Sequence, residues 1–500
     1  MTNAPTNPGR GDPTLAEDVK GDWPAKFGSW AERAPDVRTL CRTVREVPWR
    51  LRPPDAAAVA DVLREAGARG AGLWPVSRGC NWGYGSHLPA RSGSVLLDLS
   101  RLDAIGDLDR PSLSVRIEPG VSQIALYRFL EANAPDLAFN VTGAGSDTSV
   151  LGNALERGIG YNGEKDLDLY ALEVLLPDGS RVAPSAERNH RSRSHPAGLS
   201  TDSLFYQTNF GVVVGGRLRL RFKQEAEDAV VLQGEYAAVV ETLRRAYADH
   251  VITRPTHISE PGRAQRLGFG LLRALWNRDP TPGEIDRIFP EKGTYNGLVP
   301  LYGRRSVVDA SWRELKRQAV PGVVLQRGSA RVVTTAATWL ARVGARYQAA
   351  RLRALRPLMG LIWGEPSDVG LTSLDHYNGG NPDLAGRGAI YGNAVSSVSP
   401  QEGLRAAGII RGLWKDCAFT WILLDCRCML TIYTLHFDDA AAPAVHEANA
   451  RIVRDLRSAG FTQYRLDVET PAPRGAEAVT ALLKKAFDPA GIIAPGKYAS

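Results

Sequence analysis

The sequence predicts an α+β protein of more than one domain, and three observations carry that reading. Residues 47–224 alternate short apolar runs with helical spacing. Two glycine-rich loops interrupt that stretch, and from Glu225 the texture changes to longer helices mixed with alternating strands. With 500 residues, 44% hydrophobic and 23% charged, the chain is long enough for about two to four domains and a substantial core. Lys plus Arg number 61 against 54 Asp plus Glu, a net +7 spread along the sequence, which points weakly to anionic ligands and away from nucleic acid. The polar start Met1–Asp12 lacks the order of a secretory signal, and no run has the length of a membrane span. Five cysteines without a CxxC pair fit reduced thiols, so the expectation is a cytoplasmic protein with no metal site and no membrane contact.

In chain order, the residues before Val47 look like a disordered leader. Val47–Pro54 reads as a strand that proline stops, and Asp55 as the N-cap of an alanine-rich helix to Ala66. Gly72–Val76 is a strand leading into the first loop; Ser94–Leu99 and Leu113–Gly120 continue the strands, and Ser122–Asn133 has helical spacing. Ala171–Val182 reads as a hairpin around Asp178-Gly179, and the polar stretch Ala183–Ser203 as a mobile surface loop. Helices at Ala237–Asp249, Arg263–Asn277 and Ala330–Leu355, with strands at Phe419–Asp425 and Met429–Phe437, make a second domain. The last segment, Glu477–Ser500, opens with a helix.

The loops carry the chemistry. They are Pro75-Val-Ser-Arg-Gly-Cys-Asn-Trp-Gly-Tyr-Gly-Ser86 and Leu151-Gly-Asn-Ala-Leu-Glu-Arg-Gly-Ile-Gly-Tyr161. Glycine lets backbone N–H groups turn toward an anion and approach it without a Cβ in the way, so both read as phosphate cradles and a dinucleotide is the expected ligand. The nicotinamide fingerprint does not fit: Gly143-Ala-Gly-Ser-Asp-Thr lacks its third glycine, and Gly386–Gly392 has the wrong spacing.

Six segments in order, Trp74–Gly85, Ile117–Val121, Ser149–Tyr161, Ser203–Val213, Gln463-Tyr-Arg465 and Asp488–Lys497, resemble FAD-dependent oxidoreductases of the vanillyl-alcohol oxidase and p-cresol methylhydroxylase (PCMH) type. The resemblance implies a PCMH-type FAD-binding domain of two α/β subdomains, plus a cap domain with a large antiparallel sheet flanked by helices. The implied division is a leader at 1–46, the FAD domain at 47–224, the cap at 225–476 and a return to the FAD domain at 477–500. It implies FAD as cofactor, with its pyrophosphate on Pro75, Ser77, Arg78, Gly79, Cys80 and Asn81, continuing through Trp82, Gly83, Tyr84 and Ser86. Gly143, Ala144, Gly145, Ser146 and Ser149 would lie toward the ring, followed by Gly152, Asn153, Gly158, Gly160 and Tyr161. Gly211, Val212, Val213 and Lys497 complete the implied set.

The departures from the family matter as much. The histidine that tethers flavin in berberine-bridge-type relatives falls at Asn81, their cysteine near Gly145, and the cap histidine of vanillyl-alcohol oxidases near Ala389. FAD is therefore expected to be non-covalent, with Tyr391 the position open to a tyrosyl link; Cys80 and His87 lie out of register and read as packing residues. Of the residues that hold a phenolate in the family, the Tyr-Arg pair is kept as Tyr464-Arg465, the other Tyr falls at Ser114, and the flavin-side Asp falls at or next to Ala144. A permanently charged planar Arg465 beside the donor Tyr464 suits a phenolate or carboxylate oxygen. Asp147 is the remaining acid–base candidate; Tyr161, His376 and Tyr377 are pocket candidates, and His436 reads as a satisfied histidine. The implied activity moves a hydride from a small aromatic or anionic organic molecule onto flavin N5, as an oxidase or a dehydrogenase in a biosynthetic tailoring step. Oxygen or another acceptor would then reoxidise the flavin. A lyase, isomerase or cyclase on the same fold is the alternative, and a homodimer is an open expectation.

Overall fold

The structure, a computed structural model, describes residues 21–34, 38–183, 201–291, 293–374, 379–470 and 477–498. His376, Tyr377 and most of the loop expected at Ala183–Ser203 lie outside them.

Asp55 fixes the start of the first long helix, Ala56–Arg69, because its carboxylate accepts the free N–H of Ala58 at 2.9 Å. Gly70 ends that helix at φ +63°, a left-handed value that glycine adopts without strain. Val59, Val62, Leu63 and Ala66 fall on one face and bury against Leu51, Leu73, Val95 and Leu97. Those residues belong to a four-stranded sheet ordered Ala31–Arg33, Trp49–Leu51, Val95–Asp98, Leu73–Val76, whose last three strands are parallel. The expected disordered leader is overturned from residue 21 on. Trp23 is fully buried and Phe27 nearly so, Arg69 stacks on the Trp23 ring at 4.8 Å, and Ala31–Arg33 adds an antiparallel edge strand. Two large aromatics supply burial that a polar reading of the leader overlooks.

A second sheet of five antiparallel strands runs Arg181–Val182, Leu169–Leu175, Val212–Arg219, Ser114–Ile117, Ile105–Asp109. The turn at Asp178-Gly179 closes its hairpin as expected, with Gly179 at φ +79°. Helix Gln123–Asn133, capped by the Ser122 hydroxyl, sends Leu126 and Leu130 into the adjoining core.

The largest sheet has seven antiparallel strands, ordered Val324–Ser329, Ala226–Gly234, Tyr295–Gly303, Thr256–Ser259, Cys417–Leu423, Cys428–Phe437, Gly388–Ser397. Phe419, Trp421, Tyr433 and Leu435 bury against helices Tyr236–Ala248, Pro400–Leu413 and Ala442–Ser458. Strand alternation then turns Ala418, Thr434, His436 and Tyr391 to the opposite face, where Thr434 is the register partner of both Tyr391 and Ala418. His257, between two residues of the other parity and paired with Ile422, shares that face. The helix expected over Ala330–Leu355 is two helices, Ala330–Arg342 and Arg346–Ile362, because Gly344 at φ +79° turns the chain between them. Among the described residues, no helix is long and apolar enough to cross a membrane.

The chain end comes back to the first sheet. Leu73 bridges Ile493 in parallel, donating to the Ile492 carbonyl and accepting from Ala494 N–H, both at 2.7 Å. A buried ion pair locks this return. Lys484 donates to Asp488 at 2.6 Å and to the carbonyls of Asn209 and Ile493, while Asp488 accepts the N–H groups of Ile492 and Ile493. Removing one partner strands the other charge, so Lys484→Met is expected to lower unfolding stability by about 3–5 kcal/mol. Urea titration checks this, and an unchanged midpoint would show that the return segment is held by apolar packing alone.

Candidate active site

The first loop leaves strand Leu73–Val76 at the edge of its sheet, and Gly79, Gly83 and Gly85 take φ of +70°, +74° and +108°. Side chains rarely adopt those values, which is why the loop needs glycine there. Its Ser77, Gly79 and Asn81 form one wall of a cleft of about 1130 Å³; Ser149, Gly152 and Asn153 of the second loop form another. Pro75, Cys80 and Ser86 also line it, as do Gly211, Val212 and Val213 of the second sheet and Lys497 of the returning chain. The loops touch so closely that a Cβ on Gly152 would lie 2.3 Å from the Ser77 hydroxyl.

The other expected cofactor residues lie outside the cleft lining and do different work. Arg78 crosses to the second loop, donating to the Asp147 carbonyl at 2.8 Å and the Gly120 carbonyl at 3.1 Å, and it pairs with the Asp147 carboxylate. Asp147, expected as an acid–base candidate, is thus a staple between loops with a largely exposed side chain. Gly158 and Gly160 pack on the side chains of Asn153 and Asn140, where a Cβ would come within 2.1 and 2.0 Å. Gly143, Gly145 and Ser146 meet the cap: Gly143 lies under Gly370, Gly145 under Leu371, and Ser146 N–H and hydroxyl donate to Asp368 at 2.7 and 2.8 Å. Ala144 accepts from the Thr148 hydroxyl at 2.9 Å. Trp82 packs with Leu40, Leu371, Leu374 and Tyr391.

Tyr84 overturns one expectation. Ser114, where the second phenolate-binding Tyr was placed, sits within the five-stranded sheet and is bonded to Arg217 at 2.9 Å. Tyr84 instead meets the kept pair: the Arg465 guanidinium stacks 4.7 Å from its ring centre, and Tyr464 lies within hydrogen-bonding reach of its hydroxyl. Burial raises both tyrosines above the ordinary phenol range, so both are neutral donors. Arg465 donates to Asn81 at 2.6 Å, and so reaches the cleft wall. Asn393 of the cap sheet orients the pair, accepting from Tyr464 N–H and donating to the Arg465 carbonyl, both at 2.9 Å. No local motif marks Asn393 in the sequence.

Around the cleft, Glu156, Gln207 and Tyr498 were also missed. Burial opposes ionisation of Glu156, but Lys497, Arg465 and a 2.6 Å hydrogen bond from Tyr498 outweigh it and hold the carboxyl low. Burial pushes the Cys80 thiol up to about 12, which leaves it a neutral packing group. His87 lines a separate cavity behind the first loop, with Arg50 and Asp98. Tyr391 stands with its ring against Gly83, outside the cleft lining, and burial pushes its hydroxyl up to about 12. His436 has a bonding partner, and its backbone N–H donates to the Asp416 carbonyl.

Residues 49–183 match the FAD binding domain family. Over 460 residues the chain is 23% identical to the 4-cresol dehydrogenase [hydroxylating] flavoprotein subunit of Pseudomonas putida, covering 85% of this chain and 82% of that one. Over 190 residues it is 36% identical to 1'-carboxy-chondrochloren decarboxylase of Chondromyces crocatus, covering 37% of this chain and only 35% of that protein. The crystal structure of p-cresol methylhydroxylase with substrate bound superimposes with a TM-score of 0.78 at 18% identity, covering 97% of this chain and 96% of that one.

The chain thus carries an FAD binding domain and is similar along most of its length to flavoproteins of the p-cresol methylhydroxylase type.

The residues present fit FAD, the cofactor that the matched domain binds. The cleft offers a glycine-lined backbone, the cations Lys497 and Arg465, and a buried Asn153 oxygen with no partner among the described residues. Because a Cβ on Gly152 would collide with the Ser77 hydroxyl, Gly152→Ala forces Ser77 to turn within the cleft wall or the loops to part. Purified Gly152→Ala protein is expected to carry at most about a tenth of the flavin of the parent, a shift of about 1.4 kcal/mol or more in binding. The ratio of flavin to protein absorbance measures it; full occupancy would mean that the loop contact does not set the cleft.

Proposed function

We propose that this flavoprotein oxidises a small hydroxyaryl substrate, with the aryl oxygen held by Tyr84, Tyr464 and Arg465. The observation that supports this reading is the convergence of two neutral phenol donors and one fixed cation from segments some 380 residues apart in sequence. Such a set stabilises negative charge on oxygen more strongly than it stabilises the neutral hydroxyl, and so favours the state in which the ring gives up electrons. FAD, when bound, supplies the electron-pair acceptor. In this reading Ser77, Gly79, Asn81 and Lys497 hold its anionic portion, Gly211–Val213 form the wall opposite, and no side chain tethers it. Oxygen or another acceptor then takes the electrons. Five free cysteines suit a reducing cytoplasm.

A redox-neutral reaction is the second reading, and the 36% identity to a decarboxylase is what favours it. Anaerobic mixing separates the two: the oxidative reading requires the yellow colour to bleach as substrate is consumed, and turnover with the colour intact would sink it. Acid precipitation tests the tether, since a non-covalent flavin leaves its colour in the supernatant, whereas a yellow pellet would point to Tyr391.

Tyr84→Phe and Arg465→Lys are each expected to lower kcat/KM for a phenol about ten- to a hundred-fold with flavin retained. Because the Tyr84 and Tyr464 hydroxyls are raised above their ordinary pKa of about 10, the wild-type pH profile should show no tyrosine-dependent fall below pH about 10. A hydroxyl-independent loss, equal for phenols and their methyl ethers, would mean that the variants disturb the cleft rather than oxygen recognition.

A further inference from the structure

On the cap side of the two loops, one half-buried cation has no counter-ion among the described residues. Arg263 opens helix Arg263–Trp276, and among the described residues its guanidinium makes no hydrogen bond or ion pair. The carboxylate nearest in charge, Glu260, is already committed to Arg411 at 2.9 Å and to the Phe419 N–H at 3.0 Å. Withdrawing an unpaired charge even partly from water is unfavourable, and the usual remedies are a partner or a ligand.

Besides the charged Glu260 and Arg266, the groups around Arg263 are polar and neutral. It faces the hydroxyls of Tyr161 and Tyr391 and the ring of His257, which lies 4.6 Å from the Tyr161 ring and keeps a buried, unpartnered Nδ1. Arg263, Arg266, Tyr391, Thr434 and His436 line a small cavity there, and none of its described lining residues is acidic. Burial holds both tyrosines protonated and pulls His257 down to about 4, leaving all three uncharged at neutral pH. The two phenols also fix where this pocket stands. The Tyr391 ring rests on Gly83 of the first loop and 6.0 Å from the Tyr84 ring, and the Tyr161 hydroxyl lies beside Gly143 of the second.

We propose that Arg263 is the anchor for a carboxylate carried by the substrate, with the Tyr161 and Tyr391 hydroxyls as flanking donors. Guanidinium and carboxylate match as a two-pronged, charge-assisted pair, and none of the described residues lining the pocket is an acid that would oppose it. Taken with the hydroxyl site of the proposed function, on which this step rests, the substrate class is a hydroxyaryl carboxylic acid. Tyr391 forms the shared wall between the hydroxyl end at Tyr84 and the carboxylate end at Arg263.

The test is calorimetric titration of the flavin-loaded protein with 4-hydroxyphenylacetate, phenylacetate and their methyl esters. Each acid is expected to bind at least about ten-fold more tightly than its ester. Arg263→Gln should erase that ratio and Arg263→Lys should keep part of it, with flavin content and melting temperature as checks on folding. Tyr84→Phe should leave the acid-to-ester ratio intact and reduce only the advantage of the hydroxylated compound. Equal binding of acid and ester by the parent, an unchanged ratio in Arg263→Gln, or no binding of either acid overturns the anchor. A ratio shown by phenylacetate, with no gain from the hydroxyl, leaves the anchor standing and removes the hydroxyaryl reading instead.

Discussion

The site depends on how closely the first glycine loop lets its neighbours approach. A Cβ on Gly83 would come 2.4 Å from the Tyr391 ring, and one on Gly85 would come 2.4 Å from Val468. Those gaps are closed by backbone hydrogen bonds: Tyr391 N–H donates to Gly83 at 2.8 Å, and Val468 N–H to Tyr84 at 3.2 Å. The glycines therefore serve two ends. Gly79 opens backbone toward the cleft, while Gly83 and Gly85 let the cap sheet and the segment after Arg465 dock on the same loop. A phosphate cradle alone would need only the first of these.

That division marks how much could be read from the sequence. Local devices were legible because their chemistry is local: Asp55 and Ser122 cap helices three residues away, and Asp178-Gly179 makes a turn that its own φ requires. The cleft lining was legible through the ordered motifs, since most of those residues are backbone or small side chains fixed by the loops. The polar partners were not. Arg78 meets Asp147 across 69 positions, and Tyr84 meets Tyr464 and Arg465 across the whole fold. Matching Ser114 to the missing Tyr followed a linear register, whereas the sheet order places Ser114 beside Arg217. Arg263 and His257 carry no motif; only the sheet face and the helix start bring them to Tyr161.

Charge follows the same geometry. The cleft holds Lys497 and Arg465 against the single acid Glu156, and Lys497 also stacks 5.8 Å from Trp74 and 4.9 Å from Tyr498. Lys497 is therefore held by two aromatic faces together with a 4.0 Å ion pair to Glu156. Arg465 likewise stacks on the ring of Tyr84. Its hydrogen bond goes to the neutral Asn81 oxygen, so its charge stays available to an anionic oxygen nearby.

Asn81 ties cofactor seat and substrate site into one unit. It lines the cleft, receives the Arg465 guanidinium, and sits in the loop whose Gly83 carries the Tyr391 strand. A shift of that loop on filling the cleft would move Arg465 and Tyr391 together, because each is fixed to it by a direct contact. Asn393 reinforces this from the cap, holding both Tyr464 and the Arg465 backbone from the strand that bears Tyr391. The position where a related flavoprotein would carry its tethering histidine thus couples the cleft wall to Arg465 directly and to Tyr391 through its loop.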